Sequence, residues 1–168
     1  MVLYRLSAMM KLLSITSAYG IARMQSMSPW LSKAARQLRD QIDTWYPDRD
    51  ISADGWIGDS RHAATKSDHN PDVADGSYCV RAIDISVGLS KQKGLSVYLS
   101  DQIRECGKTD KRISYVIHNS RIASSKEGWA WREYKGFNKH EHHMHISFTK
   151  LGDQDARPFD IPLIGGKI

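Results

Sequence analysis

Apolar residues recur at helical spacing through the first well-patterned stretch. Leu31, Ala34, Ala35, Leu38, Ile42 and Trp45 fall on one face. Ser28-Pro29 offers an N-cap and a first-turn proline, and Pro47 stops the run, so the pattern predicts a packing helix over 29–45. From Cys79 to Val87 the apolar residues Val80, Ala82, Ile83, Ile85 and Val87 predict a strand, with Asp84 set in its middle. Leu95, Leu99, Ile103 and Cys106 share a face and predict a second helix over 94–106, which Gly107 is placed to end. Ile113 to Ile117 reads as a strand, Asn119-Ser120 as a turn, and Arg121-Ile122-Ala123 as the returning arm of a hairpin. Ile146 to Phe148 closes a last strand.

Between these elements the pattern is irregular. Residues 48–66 carry turn signals at Asp54-Gly55 and Gly58-Asp59, with Trp56-Ile57 as an anchor to the core. Ser67 to Gly76 is a turn-rich polar loop. Ser124 to Lys139 is polar yet holds Trp129, Trp131, Tyr134 and Phe137, as core aromatics or as a cleft wall. If that segment is extended, Trp129 and Trp131 point the same way. Gly152, Pro158, Pro162 and Gly165-Gly166 interrupt residues 151–168, which read as a tail. Residues 1–27 contain a mildly apolar run broken by Lys11. They read as an extension from an over-called start, with Met27 the alternative start, or as a degenerate signal or anchor. One catalytic-sized domain over 28–150 remains, with no internal repeat. The expected fold is α+β: a small antiparallel sheet flanked by two main helices.

Composition narrows the class. At 168 residues, 40% hydrophobic and 26% charged, the chain can build one ordinary core. The formal charge is +5, which suits an anionic partner, but no block of Lys and Arg marks a nucleic-acid tail. No run approaches the roughly 20 apolar residues of a membrane span, so stable membrane insertion is not expected. Cys79 and Cys106 form no CxxC pair and read as free thiols.

The chemistry concentrates in His140-Glu141-His142-His143-Met144-His145, which holds four of the seven histidines. On a strand His143 and His145 project to one face, with Met144 on the other. Asp84 inside an apolar strand needs a cation, a metal or a donor as partner, Arg81 being one option. A histidine from a loop would complete three protein ligands, the number found in catalytic zinc sites. His69 is the natural candidate and His62 its competitor.

Ser67-x-His69, Ala82-Ile83-Asp84-Ile85 and His140-x-x-His143-x-His145, in that order, resemble the zinc peptidases that group lysostaphin-type enzymes, D-alanyl-D-alanine peptidases and hedgehog domains. The nearest resemblance is to the phage endolysin-like and penicillin-insensitive murein endopeptidase branch, which has His-x-x-His-x-His where others have Glu-x-x-His. It spans about Gly58 to Phe148. It implies zinc as cofactor on His69, Asp84 and His145, with catalytic His143 and a supporting His140. Two departures stand out. The aspartate that family members often carry seven residues after the first histidine is Gly76 here, and the glutamate base of the carboxypeptidase-like branch is His142. Glu141 is left as a backup base.

On this reading His140 delivers a proton to the leaving amine, Arg61 binds the scissile carbonyl or a substrate carboxylate, Ser67 holds its loop, and His142 is exposed. The expected activity is zinc-dependent hydrolysis of a stem-peptide or cross-bridge amide in bacterial peptidoglycan, by a monomer of phage or prophage type. It would be made in the bacterial cytoplasm and act at the wall. The alternatives are a D-alanyl-D-alanine carboxypeptidase, a non-catalytic zinc-containing wall-binding module, and a metal nuclease or nucleic-acid binder.

Overall fold

A computed structural model of the chain describes residues 28–167. The expectation for residues 1–27 lies outside the described residues, as does the Arg61 side chain. The order is β1 (Trp30–Leu31), α1 (Lys33–Trp45), α2 (Ser60–Ala63), β2 (Cys79–Val80), β3 (Ala82–Ser86), α3 (Leu95–Thr109), β4 (Ile113–His118), β5 (Arg121–Ser124), β6 (Arg132–Glu133) and β7 (His143–Phe148), with short 3-10 turns between and after them. The α+β expectation holds. No helix among the described residues is long and apolar enough to cross a membrane.

The first helix starts later than Ser28-Pro29 suggests. Trp30 and Leu31 pair in parallel with Cys79 and Val80, and Ser32 becomes the cap, its Oγ accepting from the Ala35 N–H at 3.3 Å. Ala34, Ala35, Leu38 and Ile42 are buried as the spacing predicts, whereas Trp45 is exposed. The second helix does not stop at Gly107. It runs to Thr109, and Gly107 is a packing position: a Cβ there would stand 2.4 Å from the Trp129 ring. Trp129 does not alternate with Trp131 along a strand. Its backbone turns left-handed (φ 64°) and its ring is buried, while the Trp131 ring meets the guanidinium groups of Arg104 and Arg121, 5.9 and 4.8 Å from its centroid.

Five antiparallel strands form the main sheet, in the order β3-β7-β4-β5-β6. The predicted hairpin is present, with both turn residues, Asn119 and Ser120, at positive φ. The long strand predicted from Cys79 breaks at Arg81. Strand alternation then separates two faces. Ile83 and Ile85 of β3, Met144, Ile146 and Phe148 of β7 and Val116 of β4 join the core with α1 and α3. Asp84, His143, His145, Ser147 and Tyr115 take the alternate positions. The outer edge of β3 is covered by the 49–58 loop, where Gly55 exchanges both backbone hydrogen bonds with Asp84. Trp56 packs on the core, as expected, but Ile57 is exposed.

Residues beyond 150 are not a loose tail. Phe159, Ile161 and Ile164 are buried in the core, and Gln41 of α1 bonds the backbone of Phe159 and Ile164. Their apolar positions follow no period, because they fill a gap in a layer made by other elements. Both cysteines are free.

Candidate metal centre

The register of β3 against β7 places Asp84 directly opposite His145 and Ser86 opposite His143. Paired residues of an antiparallel ladder share a face, so one face carries the carboxylate and both imidazoles. The third group arrives from the 58–70 loop. Its ends are tied by Gly58 N–H to the His69 carbonyl (2.9 Å), and Asn70 Nδ2 donates to the carbonyls of His62 and Thr65. The Ser67 hydroxyl accepts from the His69 N–H, the loop-holding role expected of it.

Three ligand atoms converge. His69 Nε2 lies 3.0 Å from His145 Nδ1 and 3.2 Å from Asp84 Oδ1, and His145 Nδ1 lies 3.0 Å from the same oxygen. Four-coordinate zinc with bonds near 2.0–2.1 Å separates its ligands by about 3.3 Å, so this triangle is close to one face of a tetrahedron. His69 and His145 are buried and Asp84 retains some exposure, so the group could hold a metal ion accessible from one side. This is the set proposed from sequence. Arg81 is not the partner of Asp84, since its guanidinium is taken by Asp72, Asp75 and Asp153.

The remaining histidines differ from one another. His143 Nε2 is 3.7 Å from Asp84 Oδ1, adjacent to the triangle. His140 is buried with left-handed backbone (φ 53°), and its ring centroid lies 4.9 Å from that of His143 and 5.5 Å from that of His145. His142 and Glu141 are exposed. His62, the competitor for His69, is outside the triangle, with its Nδ1 2.9 Å from Asp59. His62, Phe137, Asn138, Lys139, His140, Glu141 and His142 line a cleft of about 530 Å³. Phe137 is fully exposed there, the cleft-wall alternative for that aromatic. A larger concavity of about 680 Å³ around Arg112 and Asp155 shares no residue with the ligand set.

Sequence reasoning missed His118, Ser147 and Tyr115. His118 is fully buried behind the 140–143 segment, its Nδ1 3.2 Å from the His140 carbonyl. Ser147 could have been found as the next same-face position after His145.

Electrostatics sort the roles. Burial opposes the charge on Asp84, but hydrogen bonds from His145 and His69, and their charge, outweigh it and hold the carboxyl well below the usual range. Burial also pulls His69 down, and the bond to Asp84 with its charge overcomes this and raises it. Burial lowers His143 and His118, and burial with the neighbouring His145 and His143 pushes His140 down to about 4.

A pH dependence follows. A histidine depressed in the folded state contributes stability that is full above its unfolded value of about 6.5 and is lost as pH falls through its folded value. His118, His140 and His143 act in this sense, and His69 acts oppositely. The melting temperature of metal-free protein is therefore expected to fall between pH 6.5 and about 4, and His140→Gln to flatten that slope. A melting temperature constant over that interval would contradict the assignment of neutral, buried histidines.

Comparison with known proteins returns no matching family model, no matching curated protein and no matching solved structure.

Proposed function

We propose that the chain is a zinc-dependent peptidase that hydrolyses an amide bond in the stem or cross-bridge peptides of bacterial peptidoglycan. The observation that carries this reading is the triangle of His69 Nε2, Asp84 Oδ1 and His145 Nδ1 with His143 beside it. Two nitrogens and one oxygen, with one side accessible, are the donor set of catalytic zinc, whereas structural sites are closed by four protein ligands. The resemblance of the three motif segments to zinc peptidases of the wall supplies the substrate class, and the charge of +5 suits an anionic wall.

Hydrolysis adds hydroxide to the carbonyl carbon, breaks the C–N bond and leaves a proton on the amine. Zinc, when bound, supplies Lewis acidity and lowers the pKa of a water at the open position to about 7. His143 is neutral near pH 7 and shares a strand face with His145. It takes the proton released by water and returns it to the leaving nitrogen. His140, pushed down to about 4, does not hold a proton at neutral pH. Its part is to pack edge-on against His143 and hold that ring in place, instead of the proton delivery expected from sequence. Arg61 is assigned to the scissile carbonyl or a substrate carboxylate by its chemistry.

The test is mass spectrometry of muropeptides released from purified walls by the full chain, with and without chelator. Release is expected to stop with chelator and to return on adding zinc. His143→Ala is expected to retain zinc and lose at least about 100-fold in rate. Equal release with and without chelator would sink the proposal. Free D-alanine as the sole product would move it to a carboxypeptidase, and wall binding without cleavage to a binding module.

A further inference from the structure

Left-handed backbone is uncommon outside glycine, and His140 adopts it at φ 53°, shortly before β7. Its main chain is held there from both ends. The His140 carbonyl accepts two hydrogen bonds, from the Asn119 N–H at 3.1 Å and from His118 Nδ1 at 3.2 Å. The His140 N–H donates to Asn138 Oδ1 at 3.0 Å. One position earlier, the Ser120 N–H donates to the Lys139 carbonyl at 2.8 Å. Asn119 and Ser120 form the turn of the β4–β5 hairpin, so both N–H groups of that turn end on the 139–140 backbone.

His118 reaches this carbonyl from the other side of the sheet. Ile117 is paired with His145 and shares the site face, so His118, the next position of β4, points to the core face. It is fully buried there, and its Nε2 meets no hydrogen-bond partner. A carbonyl only accepts, so the proton of His118 sits on Nδ1. A buried imidazole is thus kept for a single bond, and that bond goes to the residue in the strained conformation. The His140 ring leaves on the site face. Its centroid lies 4.9 Å from that of His143, 5.5 Å from that of His145 and 5.2 Å from that of Tyr134. Its Nδ1 is buried without a partner, so the main chain and ring packing set where the ring stands.

We infer that His118 and Asn138 are positioning residues, clamping the main chain of His140 so that its ring stands edge-on against His143. None of the bonds in the clamp uses a ligand atom of the triangle, so the clamp is independent of metal. Its consequence for turnover rests on the peptidase reading, and the clamp itself does not.

The experiment reads three properties of the full chain. Proton–nitrogen correlation spectra give the His118 tautomer, and nuclear Overhauser effects give the contact between the His140 and His143 rings, each with and without zinc. Steady-state kinetics on a cross-linked muropeptide give kcat and KM, beside zinc affinity by competition with a chromophoric chelator. His118 is expected to carry its proton on Nδ1 in both metal states. His118→Leu and Asn138→Ala are expected to weaken the ring contact and lower kcat by about 10-fold, with KM and zinc affinity within threefold of wild type. His118→Asn sets an amide N–H near the place of the Nδ1–H and is expected to recover most of the loss seen in His118→Leu. A proton on Nε2 of His118, or ring contact and kcat unchanged in both His118→Leu and Asn138→Ala, would overturn the clamp. Zinc affinity falling in step with kcat would overturn it as well, by making these residues part of the metal frame. If His118→Leu does not fold, Asn138→Ala and the tautomer decide. A wild-type chain that hydrolyses nothing would remove the peptidase reading, and the tautomer and ring contact would still decide the clamp.

Discussion

Asp84→Asn is expected to strip the protein of zinc at concentrations that saturate the wild type, and to abolish wall hydrolysis with it. Apparent zinc-binding free energies of 10–16 kcal/mol spread over four ligands average about 2.5 to 4 kcal/mol each, or roughly 60- to 700-fold in affinity per ligand. Asp84 should stand at the top of that range, because its Oδ1 touches both other ligand atoms and it brings the only negative charge of the triangle. Asparagine keeps the shape and removes the charge. Without the carboxylate, burial is opposed on His69 only by the Trp56 backbone bond and the Asp68 charge, and favours the neutral ring more than in the wild type. The metal-free variant should therefore fold, and its melting temperature should no longer respond to added zinc. Competition titration and circular dichroism check both halves. Zinc affinity within threefold of wild type would remove Asp84 from the ligand set.

Why Asp84 was visible from sequence, and other parts were not, follows from the range of the forces involved. A carboxylate between Ile83 and Ile85 is a local contradiction that demands a partner. His143 and His145 are separated from His142 by strand period alone, and the exposure of His142 bears that out. The direct opposition of Asp84 and His145 is a matter of register, set by strands sixty residues apart, and no local pattern encodes it. His62 and His69 occupy similar polar loops. What distinguishes them is the closure of residues 58–70 through Asn70 and Gly58, a hydrogen-bond pattern and not a composition.

Local signals also misled where tertiary contacts outweighed them. Ser28 and Ser32 are equally good caps, and the choice fell to Ser32 because the Trp30 and Ser32 N–H groups donate to the carbonyls of Tyr78 and Val80. Gly107 carries the same letter as a helix stop, yet its lack of a side chain is used to seat Trp129. Arg81 was weighed as the partner of Asp84 because the two are close in sequence. They belong to different networks because the strand breaks at Arg81, whose side chain joins three carboxylates away from the triangle.

That network supports the second large prediction. Arg81 is 9% exposed, and its guanidinium grips Asp153 with Nε and Nη2, both at 2.7 Å, Asp72 at 2.6 Å and Asp75 at 3.1 Å. Asp72 and Asp75 belong to the loop that continues from His69, and Asp153 to the segment after β7, so one side chain closes the loop bearing His69 onto the strand bearing His145. Removing the buried guanidinium leaves three partly exposed carboxylates facing one another without their shared cation, which destabilises the fold. Arg81→Ala leaves three carboxylates together with only Lys150, which is exposed and reaches Asp75 at 2.7 Å and Asp72 at 3.7 Å. The metal-free variant should therefore melt about 5 °C or more below the wild type. Arg81→Lys keeps the charge but cannot reproduce the two-nitrogen grip on Asp153, and should fall between them. Zinc distinguishes this effect from direct loss of a ligand. Ligand binding to the folded state adds about 2.7 kcal/mol at a hundred times the Kd, so zinc should recover much of the stability of Arg81→Ala and none of that of Asp84→Asn. Thermal melts of both variants across a zinc titration separate the frame of the site from the site itself. An Arg81→Ala protein as stable as wild type without metal would show that the loop bearing His69 is held by its backbone bonds alone.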